Sequence, residues 1–321
     1  MKMVLYLRVV GTNSGTAWPI INSFRFSDRV LMRRLLLLGL VLVLLGGCTM
    51  KATYNRLDWL AAKYLSSYIE LTDEQKLVLK QRLADTLEWH RSTQLPAYAQ
   101  WLGNLQYDMQ DGLTESQVNQ YGLELLVFWR NLMLRLADDL AVLLPRLTTE
   151  QREALFARLE KENSSDGREV AVVSVEKRQS EYAGRLEKGL GRWLGGINEQ
   201  QKGLIRVAAN KLQPTETDSF RMRVRFQQTV RSLLEEQADE DEIRRTLRSL
   251  LINNESRHND AYQKKFENNR RVLTQLIVDI SSTMEPDQKK YLNQRIDKFI
   301  KLFNDLSGQG KHQASRSCAT C

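Results

Sequence analysis

From residue 48 onward, apolar residues recur at intervals of three and four, the period of an α-helix that buries one face. The last segment shows it plainly. Leu292, Ile296, Phe299, Ile300 and Phe303 form one apolar stripe, while Lys289, Arg295, Asp297 and Lys301 fall on the water side. No stretch alternates apolar and polar residues for long enough to compete as a strand. The pattern predicts an all-α protein, a multi-helix bundle of amphipathic helices joined by short capped turns. Helices are expected at about 55–69, 73–91, 96–110, 115–144, 149–162, 168–194, 199–211, 217–236, 240–251, 257–281 and 286–305. Pro96 should kink or break the second of these, because proline lacks an amide donor and crowds the preceding turn. SSDG at 164–167 and Asp111 with Gly112 read as turns. The acidic block 239–242 reads as a first helical turn, where carboxylates oppose the positive end of the helix dipole.

Five of the expected helix starts share a phrase. It reads LTDEQ at 71–75, LTESQ at 113–117 and LTTEQ at 147–151, with looser copies INEQQ at 197–201 and MEPDQ at 284–288. With Thr72 at the N-cap, the Gln75 side chain reaches back to the Thr72 amide, and the Thr72 hydroxyl accepts from the Gln75 amide. That is a capping box, two orphan donors satisfied reciprocally. Thr114 with Gln117, Thr148 with Gln151 and Asn198 with Gln201 fit the same geometry. Glu285 with Gln288 is a poorer cap, but it places Pro286 at the first helical position, where proline is favoured. The phrase is therefore read as a helix start. The uneven spacing of its glutamines argues against a solenoid array.

The segment MRRLLLLGLVLVLLGGC at 32–48 has a different character. Two arginines precede an apolar run at 35–45 that is too short for a bilayer span of about 20 residues. It ends in Leu45, Gly46, Gly47 and Cys48, which resembles a bacterial lipobox, with cleavage after Gly47 and a diacylglycerol on the Cys48 thiol. Residues 1–31 read as an extension from a mis-assigned start, 32–47 as a signal peptide, 48–306 as the helical domain and 307–321 as a disordered polar tail. Thr49, which is not the aspartate that retains such proteins at the inner membrane, favours the outer membrane, facing the periplasm. Processing changes the charge argument. The whole chain carries 47 basic and 39 acidic residues, a net charge of +8, whereas without the six basic and one acidic residues of 1–47 it carries 41 against 38, or +3. The surplus lies mostly in the cleaved segment, so no nucleic-acid partner is inferred.

Catalytic and metal-binding patterns are sparse. His90, His258 and His312 are the three histidines, and Glu255 with His258 gives a single Glu-x-x-His where a di-iron bundle wants two such pairs and more glutamates. No metal site, cofactor or enzymatic activity is expected. Cys318 and Cys321 form a CxxC with no second ligand pair, read as a tail disulfide or two thiols. The tryptophans sit among leucines and read as core. Trp89, His90, Tyr98 and Trp101 are rich enough in polar-tipped rings to be a candidate groove. Arg221, Arg223, Arg225 and Arg231 around Phe220 and Phe226 read either as a basic apolar face or as snorkelling side chains on a solvated one.

The lipobox, YNRLDWL at 54–60, the LTDEQ helix, EWHR at 88–91, LPAYAQWL at 95–102 and RWLGGINEQQ at 192–201 together resemble a family of Gram-negative helical lipoproteins of unknown function. More weakly, the Leu-Thr-x-x-Gln phrases are similar to those of the Spy and CpxP periplasmic proteins, small helical chaperones. The resemblance implies a helical lipoprotein and assigns no activity. The expected function is that of an envelope lipoprotein held to the membrane through Cys48. It would bind protein or lipid, with an envelope protein or an unfolded chain as client. The alternatives are a structural or assembly lipoprotein, and a cryptic hydrolase or metal enzyme.

Overall fold

Side-chain caps open the helices where the phrase places them. The computed structural model describes residues 48–171, 174–252 and 260–318. Its elements are α1 (Cys48–Tyr54), α2 (Leu57–Leu65), α3 (Asp73–Trp89), a π-helical turn (His90–Gln94), α4 (Leu95–Asp108), α5 (Glu115–Leu143), a 3-10 turn (Leu144–Arg146), α6 (Thr149–Ala171), α7 (Val175–Leu194), α8 (Glu199–Lys211), α9 (Glu216–Glu235), α10 (Glu240–Ile252), α11 (Asp260–Ser282) and α12 (Pro286–Cys318). The described residues contain no strand, and the fold is all-α. Complete capping boxes stand at Thr72 with Gln75, Thr114 with Gln117 and Asn198 with Gln201. Thr148 and Gln151 make the same two bonds, and at Glu285 only the return bond from its amide to Gln288 is made.

Four boundaries differ from the sequence pattern, each for a physical reason. The helix expected at 55–69 is shorter, α2 at Leu57–Leu65, ending where the Ser66 and Ser67 hydroxyls donate back to Lys63 O and Tyr64 O at 2.8 and 2.7 Å, and α1 precedes the expected range. Pro96 does not break its helix. The chain stays helical from Asp73 to Asp108 by widening into the π turn ahead of the proline, which spares the ring its clash. Serine and threonine hydroxyls cover carbonyls in that turn, Ser92 Oγ donating to Glu88 O at 2.9 Å and Thr93 Oγ1 to Trp89 O at 2.7 Å. SSDG at 164–167 lies inside α6, held by tertiary contacts that outweigh its turn preference. Asn163 donates to Gln227 Oε1 at 2.5 Å, and Asp166 pairs with Arg223 at 2.9 Å, both on α9. Finally, α12 continues to Cys318, past the point at 306 where a disordered tail was expected. Leu306 is 1 % exposed and anchors that run, and no proline follows Pro286.

The core has two main parts, bridged by α5. Its 29 residues span roughly 43 Å at ~1.5 Å per residue. The first half buries Val118 and Tyr121 against α4 and α11. The second half buries Met133, Ala137 and Ala141 against α9 and α10. Ala137 and Ala141, one turn apart, are fully buried and so is Leu247 of α10, so the small residues let α10 approach closely. The other main cluster joins α4, α7, α8, α11 and α12 around Ile205, Leu276 and Ile296. A smaller cluster gathers Ile69, Leu71, Leu79 and Leu147 at the start of α3 and α6.

The phrases do more than start helices. Gln75 and Gln151 face each other amide to amide, each Nε2 donating to the other's Oε1 at 2.8 and 2.9 Å. The second proton of each Nε2 goes to the carbonyl just before the partner phrase, Arg146 O at 2.6 Å and Glu70 O at 2.5 Å. Each Oε1 also accepts from its own cap amide, Thr72 N or Thr148 N, at 2.9 Å. Gln201 and Gln288 repeat the arrangement at 2.8 and 2.9 Å, donating to Thr283 O and Gly196 O. Every donor and acceptor of these four amides is engaged, as interior polar groups require. The phrases thus clasp in pairs, 71–75 with 147–151 and 197–201 with 284–288. The fifth, at 113–117, caps α5 and makes no such pair among the described residues.

Candidate functional site

An apolar cavity of about 160 Å³ lies beside the first clasp. Its wall is built by the end of α2 (Tyr64, Leu65), by Leu71, Gln75 and Leu79 around the start of α3, by Leu140, Leu143 and Leu144 around the end of α5, by Leu155, Phe156 and Leu159 of α6, by Phe226 and Val230 of α9, and by Leu247 of α10. Six segments meet there. Each contributes the apolar stripe that its helical period dictates, and the stripes surround a partly open volume they do not fill. Half of the lining residues are leucines. A cavity of similar size with comparable walls accommodates a benzene molecule, so the space suits roughly six carbon atoms of hydrocarbon.

Polar groups cluster beside this wall. Tyr68 Oη donates to Glu162 at 3.0 Å, lies 3.0 Å from Tyr64 Oη, and carries the Arg158 guanidinium 4.4 Å above its ring. Burial, reinforced by its bond with Tyr64 and the neighbouring Glu162, holds the Tyr68 hydroxyl well above the usual phenol range. Arg223, which also lines the cavity, is 9 % exposed and bonded to Asp166, with its guanidinium 5.0 Å over Phe220. Both cations therefore have a carboxylate at hand. Of the arginine group noted in the sequence, Arg223 is interior and Arg231 lies over Phe156 at 5.6 Å while bonded to Glu235 at 2.8 Å. The interior behaviour of Arg223 departs from both readings of that face.

The candidate groove residues separate. Trp89, His90 and Tyr98 come together, and their rings pack with Tyr54, Phe128 and Phe303 at centroid distances of 4.8 to 6.3 Å. Trp101 points elsewhere, edge-on to Tyr121 at 5.6 Å. Within the ring cluster, Tyr54 Oη lies 2.8 Å from His90 Nδ1. Burial, with a smaller push from Arg91, lowers the His90 pKa to about 4, so its imidazole is neutral at pH 7. Burial raises the hydroxyls of Tyr54 and Tyr98 to about 12. These groups are packed together at the end of α3, whereas the cavity is lined by Gln75 and Leu79 near its start.

A second buried polar group ties α3 to α5. Asp139, 7 % exposed, accepts from Arg82 at 2.8 Å and from the Thr86 hydroxyl, which in turn accepts from Arg135 Nε at 2.9 Å. Burial pushes the Asp139 carboxyl up, opposed by these bonds and by both arginines. Among the described residues no group of three or more His, Cys, Asp and Glu is placed to hold a metal ion. His258, Cys321, Gly47 and the rest of the signal segment lie outside the described residues, and Cys48 opens α1.

Sequence reasoning did not find the cavity, the clasps or the Asp139 group. One signal for the clasps was present. A capping box accepts glutamate or glutamine, yet all five phrases end in glutamine, the one of the two that can also donate.

No curated protein and no solved structure matches the chain. Residues 67–263, more than half of it, match the model of a family of unknown function, and that span holds the first clasp and all of the cavity lining except Tyr64 and Leu65. The chain belongs to this family of unknown function, DUF6279.

Proposed function

We propose that the protein is a lipid-anchored protein of the Gram-negative cell envelope, held through Cys48 at the outer membrane and facing the periplasm, and that it binds a single hydrocarbon chain. The observation that carries this reading is the apolar cavity beside the Gln75–Gln151 clasp. Hydrocarbon gains about 0.8 kcal/mol per buried methylene, so roughly six in this space contribute about 5 kcal/mol before any headgroup contact. That corresponds to a dissociation constant on the order of 0.2 mM, which headgroup contacts with Tyr68 and Arg158 would tighten. Acyl chains are the abundant ligands of this chemistry at a membrane. A chaperone-like surface has less support, because, of the large exposed apolar residues described, only Leu123 and Val127 share a helix, and the others, such as Leu77, Tyr107 and Val207, stand singly on theirs.

Two measurements test the reading. Radiolabelled palmitate should enter the wild type and not Cys48→Ser; equal labelling removes the anchor. Dansyl-undecanoate should gain fluorescence with the wild-type protein and be displaced by unlabelled fatty acid. Leu155→Trp, which fills the cavity from its wall, should abolish that gain while the protein stays folded. Unchanged probe binding in the filled variant removes the cavity as the site.

A further inference from the structure

The second helix after the proposed anchor, α2, has an outer face that the bundle leaves uncovered. α2 begins nine residues after Cys48 and has no fully buried residue. Its inner side, Ala62 and Leu65, packs on the small cluster around Ile69 and Leu71. On its outer side Arg56, Trp59 and Lys63 follow one another at intervals of three and four, and all three are exposed. Trp59 is 55 % exposed, with Lys63 Nζ 4.9 Å over its ring. Between residues 48 and 65 the chain carries Lys51, Arg56 and Lys63 against Asp58 alone. A tryptophan flanked by cations is suited to the level of lipid headgroups, where the ring enters the interface and the charges meet phosphates.

We propose that α2 is an interfacial helix, lying with Arg56, Trp59 and Lys63 on the surface of an anionic bilayer. This rests on the anchor at Cys48, since with a lipid there the tether to α2 is only the seven residues of α1, roughly 10 Å long at ~1.5 Å per residue, and the short turn after it. The opposite charge of anionic headgroups is what selects a lipid surface as the occupant of this face. The placement also explains how the cavity is supplied. Tyr64 and Leu65 at the end of α2 form part of its wall, so a helix with one face on lipid has its end beside the binding space. An acyl chain passes from bilayer to cavity along α2 without crossing open water.

The test uses the full chain, purified in its lipidated form and reconstituted into vesicles of phosphatidylcholine bearing brominated acyl chains, mixed with phosphatidylglycerol. Flotation reads the anchor, and quenching of tryptophan emission reads α2. The wild type should float and be quenched, and Trp59→Phe should float with about half the quenching or less, because Trp59 is exposed whereas Trp89, Trp101, Trp129 and Trp193 are partly buried in the bundle. Arg56→Glu with Lys63→Glu should float and fall to the Trp59→Phe level. Each cation near an anionic leaflet contributes about fivefold in surface affinity, so vesicles of phosphatidylcholine alone should weaken the wild-type signal in the same way. Flotation with equal quenching in all three proteins overturns the proposal and leaves the anchor standing. Loss of flotation overturns the anchor and this inference together, while dansyl-undecanoate binding in solution still reports on the cavity.

Discussion

Gln75 carries two tasks that a single substitution separates. Its Oε1 closes the capping box on Thr72, and its Nε2 holds Gln151 and Arg146 O across the clasp. Glutamate can close a capping box but cannot donate. Gln75→Glu should therefore cost about 3 kcal/mol, the size expected when buried acceptors lose their donors and oxygens face each other. Gln117→Glu, at the phrase with no partner, should stay within about 0.5 kcal/mol of wild type. Urea denaturation of both variants decides it: equal effects would mean that capping alone accounts for the phrase. His90 makes a prediction about acid. Its folded pKa of about 4 lies below the ordinary 6.5, so the unfolded chain takes up the proton first as the pH falls. The stability His90 contributes is fully present above pH 6.5 and is lost as the pH falls through 6.5 toward 4, with about 2 kcal/mol gone by pH 5. Between pH 7 and pH 5, the wild type should lose stability that His90→Phe does not, as read by denaturant midpoints at each pH.

At the scale of elements, helix ends carry the most information. Gly112 and Gly195 take left-handed backbone at φ 89° and 77°, and a Cβ on Gly195 would lie 2.9 Å from the Tyr291 ring, so glycine is required there. Gln237 takes the same region at φ 56° just after α9, where Ala238 N bonds back to Leu233 O at 2.9 Å. Gln237, whose side chain is exposed, should gain about 0.5–1 kcal/mol of stability on replacement by glycine, Gln237→Gly, as measured by thermal melting. Helix starts were legible in the sequence because caps are local: a threonine and a glutamine three residues on suffice. Helix continuity was less so. SSDG reads as a turn within six residues and is helical because Asn163 and Asp166 bond to α9, more than fifty positions away in the chain. The clasps left only the choice of glutamine over glutamate as a trace, since a capping box already accounts for each glutamine locally. The cavity left none, because it is the volume between six segments whose own stripes look like ordinary core.

For the whole molecule the clasps have a topological meaning. One joins residues 76 positions apart and the other residues 87 apart, and the two spans do not overlap. The chain is thus drawn into two closed loops in succession, each fastened at its base. Closing a loop of that length requires the helices within it to be in place already, so the fasteners belong after the main folding barrier. Substitutions at Gln75 or Gln201 should then speed unfolding while leaving the refolding rate nearly unchanged, as stopped-flow measurements on the glutamate variants would read. A slower refolding arm would place the clasp in the folding nucleus. With late fasteners, the lifetime of the folded state is set at the two loop bases, and resistance to proteolysis that depends on global opening becomes a matter of four amide side chains.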